Sequence, residues 1–70
     1  MPLGFYLKQK RKQYCLIQTE AAEKIGVSRV RYSEMENDKV YSYNPATLKR
    51  VAEFLGKSTD WVTKHLPKKK

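Results

Sequence analysis

Apolar residues recur at three- and four-residue intervals along this chain and no segment alternates with a period of two, so the pattern predicts helices only. Pro2 suits the first turn of a helix, and Leu3, Tyr6 and Leu7, with the aliphatic stem of Lys10, continue it to about Tyr14. Residues 17–25 read as a second helix, with Ala21, Ala22 and Ile25 facing inward and Gly26 placed for the left-handed turn that ends it. Ile17 occupies its N-cap position, where a polar side chain is usual. Ser28 caps a third helix that turns Tyr32 and Met35 inward and reaches about Asn37.

The second and third helices are separated only by Gly26, Val27 and Ser28, a tight turn that predicts a helix-turn-helix at about residues 17–37. A loop through Val40, Tyr41, Ser42 and Tyr43 leads to Asn44 and Pro45, an N-cap followed by a proline at the first helical position. Leu48, Val51, Ala52 and Leu55 then give the clearest helical stripe in the chain, closed by Gly56. Ser58 or Thr59 starts a fifth helix through Trp61, Val62, His65 and Leu66, and Pro67 stops it. The expected architecture is all-α and five-helical, with one domain over residues 1–66 and a basic tail over residues 67–70.

Composition narrows the function. The chain has 70 residues with 15 Lys+Arg against 7 Asp+Glu, a net charge of +8, and a hydrophobic content of 40%. That is enough apolar material for a core, but a chain this short leaves little room for a deep catalytic pocket. No activated nucleophile, paired-carboxylate arrangement or phosphate-cradling glycine loop is present, so an enzyme is not expected. The lone Cys15 and His65 do not make a four-ligand metal site, and neither a cofactor nor a small-molecule ligand is indicated. Without an apolar run of signal-peptide or membrane-spanning length, the chain reads as cytoplasmic, with no membrane partner. Its positive charge makes a polyanion, nucleic acid first, the expected partner.

The run from Gln18 to Glu36, Gln-Thr-Glu-Ala-Ala-Glu-Lys-Ile-Gly-Val-Ser-Arg-Val-Arg-Tyr-Ser-Glu-Met-Glu, resembles the lambda-repressor-like, Cro/C1-type (XRE family) helix-turn-helix domains of phage and bacterial regulators. The likeness extends from Leu3 to Val62 and takes in Gly4, Leu7 and Arg11 before that run, and Leu48, Ala52, Leu55 and Gly56 after it. It implies a regulator of transcription, most simply a small repressor, binding double-stranded DNA as a homodimer on pseudo-palindromic half-sites. With Tyr32 and Met35 facing the core, Arg29, Val30, Ser33, Glu34 and Asn37 lie on the solvent side of the third helix. Arg29 suits guanine O6 and N7, Val30 a thymine methyl, and Glu34 a cytosine amino group, with Ser33 the fourth base-reading candidate. By the same resemblance Gln18 contacts backbone phosphate from its helix start. Ser28, Arg31, Asn37, Lys39, Tyr41 and Tyr43 complete the phosphate-positioning set. Arg11 and Glu36 occupy positions that form an orienting ion pair.

The chain departs from the family at Ile17, at Ala21 and Tyr32, and at Cys15 and Asp38, where glycine is common. Each site residue also has a plainer reading. Arg29 and Arg31 can be ordinary surface charges, Glu34 can pair with Arg31, and one of the two loop tyrosines can cover the core edge. Trp61, Val62 and Leu66 form the candidate dimer patch. Two other functions remain open: an antitoxin-like protein-interaction module that binds a toxin and DNA only secondarily, and a nonspecific nucleic-acid binder. For a regulator that activates, the protein partner is polymerase.

Overall fold

A computed structural model describes residues 2–67, which form five helices and no strand. They are α1 (Leu3–Gln13), α2 (Gln18–Ile25), α3 (Arg29–Glu36), α4 (Pro45–Leu55) and α5 (Thr59–Lys64). Lys68 to Lys70 of the expected basic tail lie outside the described residues. Local chemistry accounts for most of the boundaries. Ser28, Asn44 and Ser58 stand at N-caps in extended backbone, and their side chains accept from the N–H groups of Arg31, Thr47 and Trp61 at 2.8 to 3.1 Å. Gly26 and Gly56 end α2 and α4 with φ of 86° and 69°, conformations open to glycine without a Cβ penalty. Pro2 sits one place earlier than its sequence position suggested, as the N-cap of α1 rather than inside it.

The core gathers Leu3 and Leu7 of α1, Ala21, Ala22 and Ile25 of α2, Tyr32 and Met35 of α3, Val51, Ala52, Phe54 and Leu55 of α4, and Val62 of α5. Val40 joins them from the loop. α3 packs on α1 and α2, while α4 packs on α2, α5 and α1, so α3 rests on two helices and α5 is carried mainly by α4. The ends of the domain are tied together, because the Leu3 N–H donates to the carbonyl of His65 at 2.9 Å. A half-buried aromatic group, Tyr6 edge-on to Trp61 and Trp61 stacked on His65 at 3.8 Å, fills the seam between α1 and α5.

One sequence expectation is overturned here. Val62 has no exposed surface and belongs to the core, so it offers nothing to a second copy of the chain. In a six-residue helix the residue that packs on α4 falls between Trp61 and Leu66 in any apolar count, and only the packing tells them apart. Trp61 and Leu66 are half-buried against the core.

Candidate nucleic-acid interface

The turn between α2 and α3 is built from three residues with separate tasks. The N–H groups of Gly26 and Val27 both donate to the Ala22 carbonyl, at 2.8 and 3.0 Å, closing the end of α2. Ser28 then returns the chain to extended backbone and starts α3. Tyr32 and Met35 anchor α3 in the core, which sends Val30, Glu34 and Asn37 outward at i, i+4 and i+7 as a single ridge. Arg29 and Arg31 are exposed on its two sides, and Ser33 is half-buried beside it. Val30 is 62% exposed, so it does not pack beneath α2.

Among the described residues the ion pair within 4.0 Å is Arg11 with Glu36. Glu34 is therefore not paired with Arg31, and both arginines of the first turn of α3 present their charge to solvent. An α-helix with its side chains is about 10 to 12 Å across, which the major groove of B-DNA, about 12 Å wide, admits.

Behind that ridge lies a buried carboxylate. The Glu36 side chain is 5% exposed and accepts from Arg11 Nε at 2.6 Å and from Arg11 Nη2 at 3.3 Å, a two-pronged pair linking α3 to α1. Gln18 Nε2 donates to its Oε1 at 3.2 Å, linking α2 to the same point. The remaining Arg11 nitrogen, Nη1, donates to the Leu16 carbonyl at 3.1 Å. Burial pushes the Glu36 carboxyl upward, but hydrogen bonds from Arg11 and Gln18, the nearby Tyr32 hydroxyl and the charge of Arg11 hold it below the ordinary carboxylate value. The hydrogen bond to Glu36, opposed by burial, raises the Arg11 guanidinium above its own ordinary value.

A second lock sits at the end of α3. Asp38 adopts φ 59° and its Oδ1 accepts from the Gly4 N–H at 2.9 Å, capping α1 from across the fold because Pro2 has no side chain to do so. α1 and α3 approach so closely that a β-carbon on Gly4 would collide with the Glu36 carbonyl and lie 2.9 Å from Asp38 Oδ1. Sequence reasoning missed this contact. Its signal was the pairing of a helix-start glycine with an aspartate in a glycine-like position, but the distance between them is a tertiary fact.

The phosphate-positioning candidates divide into groups. Ser28, Arg31 and Tyr43 come together with Asn44 and Thr47 around a cleft of about 420 Å³ beside the turn. Tyr43 is the loop tyrosine that covers the core edge, and burial raises its phenol above the usual range although the charge of nearby Arg31 pulls the other way. It stays a neutral hydrogen-bond donor through physiological pH. Tyr41 and Lys39 are exposed and stand apart from that cleft. Asn37 donates from Nδ2 to the Ser33 carbonyl at 2.9 Å, so one amide proton is committed to closing α3. Gln18 likewise has one amide proton committed to Glu36. Ile17 stands at the N-cap of α2 without an oxygen to offer, and its own N–H donates to the Glu20 carboxylate at 3.0 Å. Among the described residues no group of His, Cys, Asp and Glu is arranged to hold a metal ion, and no helix is long and apolar enough to cross a membrane.

Comparison with known proteins places this arrangement in context. Residues 7–62 match the family model described as helix-turn-helix. A 10 kDa protein of the ImmF control region of Bacillus phage phi105 is 44% identical over 50 residues, covering 71% of this chain and 54% of that protein. The chain thus spans about half the length of the relative it matches. No solved structure matches it significantly.

Proposed function

The chain belongs to the Cro/C1-type helix-turn-helix family, and from that premise we propose that it is a sequence-specific, double-stranded DNA-binding regulator of transcription, acting in the cytoplasm as a repressor. The observation that carries this reading is the outward ridge of α3, free of internal ion pairs and fixed from behind by the buried Arg11–Glu36–Gln18 hub. A rigid, solvent-facing helix with a fork of donors at Arg29, an apolar methyl surface at Val30 and an acceptor at Glu34 is equipped to read base edges, with Ser33 beside them. Gln18, Ser28, Arg31, Asn37, Lys39, Tyr41 and Tyr43 supply the contacts that position the duplex without reading it. The printed name of the phage relative, a control-region protein, supports a regulatory role.

A monomer carries one such ridge, and two half-sites about 34 Å apart would engage a homodimer. Residues 1–66 constitute the binding domain, and residues 67–70 add basic charge to it. Selection of duplexes from a random library at near-physiological salt tests the reading, with an inverted repeat as the expected product. Arg29→Ala is expected to relax preference at one base position by about 1 to 3 kcal/mol. Lys39→Ala is expected to weaken all sequences alike, with a shallower salt slope. An unchanged preference in Arg29→Ala would remove α3 from the reading position.

A further inference from the structure

A cleft of about 580 Å³ opens between the carboxyl end of α2 and the outer face of α4, and α3 contributes nothing to its walls. Lys24, Lys49 and Arg50 stand around it, Glu53 is its one carboxylate, and Ala46 and Phe54 supply its apolar surface. That apolar surface continues outward. Phe54 meets Tyr14 edge-on at 5.8 Å, and Tyr14 is 51% exposed, with the Lys10 ammonium 5.6 Å from its ring centre. Three cations therefore border the cleft and a fourth, Lys10, stands at the outer end of its aromatic strip, on a face that the DNA-reading ridge does not use.

We propose that this cleft docks an acidic segment of a partner protein through an aromatic or aliphatic anchor. Charge selects the class of partner, because an anionic segment in the cleft meets Lys24, Lys49 and Arg50 against the single lining carboxylate of Glu53. The aromatic strip separates a protein from a nucleic-acid backbone. A duplex keeps its bases stacked inside and presents only phosphate to Phe54 and Tyr14, whereas a peptide side chain seated on them gains the apolar contact that sustains affinity. A single strand could stack a base there, which titration with oligothymidine tests. A second copy of this chain is a poor occupant, since two molecules of net charge +8 repel and each would bring mainly lysine to a lysine-bordered cleft. Because α3 is absent from the walls, the proposal stands or falls independently of the bases that α3 reads.

The test is a titration of the full isotope-labelled chain, followed by NMR, with a short synthetic peptide of Asp and Glu around one Phe. The same peptide with Phe replaced by Gly and an oligothymidine of equal charge are run beside it. Saturable shifts are expected at Tyr14, Lys24, Lys49 and Phe54, with affinity about tenfold lower for the peptide lacking Phe. The double variant Lys49→Glu, Arg50→Glu is expected to bind the Phe peptide about tenfold more weakly than the parent does, with its helical circular dichroism preserved. Tyr14→Ala, at an exposed position, gives a second readout of the anchor should the charge reversals disturb folding. Shifts spread over every basic face without saturation, equal affinity with and without Phe, or tighter binding of oligothymidine at these same residues would each overturn the proposal.

Discussion

Two of the described residues carry backbone conformations that a β-carbon opposes, and they answer differently to the same substitution. Cys15 has φ 57° with an exposed, free thiol, so its side chain gives nothing back for a strain of about 1 kcal/mol. Cys15→Gly is expected to stabilise the domain by up to about 1 kcal/mol, read as a rise in the midpoint of thermal unfolding of at most ~8 °C for a chain of this size. Asp38 has nearly the same φ, 59°, but its carboxylate caps α1 at the Gly4 N–H. Asp38→Gly relieves similar strain and loses a cap worth about 1 kcal/mol, so it is expected to leave stability level or lower it. A stabilised Asp38→Gly protein would show that the contact to Gly4 contributes nothing.

At the scale of elements, the hub around Glu36 turns packing into a pH dependence with a definite sign. The carboxyl is depressed in the folded protein, so its contribution is fully present above the ordinary carboxylate range and is lost as the pH falls through the lower folded value. Glu36→Gln keeps the shape but removes the charge paired with Arg11. Urea unfolding at a series of pH values is expected to show the parent losing its advantage over Glu36→Gln below about pH 4, with the variant 1 to 3 kcal/mol less stable at neutral pH, roughly the strength of a hydrogen-bonded charged pair. An equal gap at every pH would mean that the charge contributes nothing and that the variant loses only the acceptor oxygen its amide nitrogen replaces.

Much of this element-level order was legible in the chain. Ser28, Asn44, Ser58, Gly26 and Gly56 each act through their own backbone or the adjacent turn, and a local cause leaves a local mark. The inward residues of α2 and α3 followed from spacing alone, and from them the exposure of Arg29, Val30 and Glu34. Phe54 escaped because it lies one residue before Leu55, off the stripe made by Leu48, Val51, Ala52 and Leu55, and only the approach of Tyr14 and the rest of the core buries it. The cap that Asp38 gives to α1 and the third link from Gln18 to Glu36 join residues 34 and 18 positions apart, and no periodicity reports such distances.

For the whole molecule, net charge and apolar surface oppose each other in a way that salt can separate. With Val62 in the core, what α5 and the turn after it offer a second copy is reduced to the half-buried Trp61 and Leu66, while each copy carries a charge of +8. Free chains at low salt should therefore repel more than they attract, and pairing should come when DNA neutralises them at adjacent half-sites. Added salt shortens the Debye length from about 10 Å at 0.1 M to about 3 Å at 1 M, which screens that repulsion but also displaces the protein from phosphate. Sedimentation equilibrium across a salt series is expected to show a monomer at low salt and a growing dimer fraction at high salt. Over the same range, fluorescence anisotropy with an operator half-site is expected to show DNA affinity falling, with a log-log slope of about −2 for the two cationic phosphate contacts, Arg31 and Lys39. The two trends must run in opposite directions if self-association is apolar and DNA binding ionic. A dimer that dissociates as salt is added would place ion pairs, not Trp61 and Leu66, at the centre of the interface.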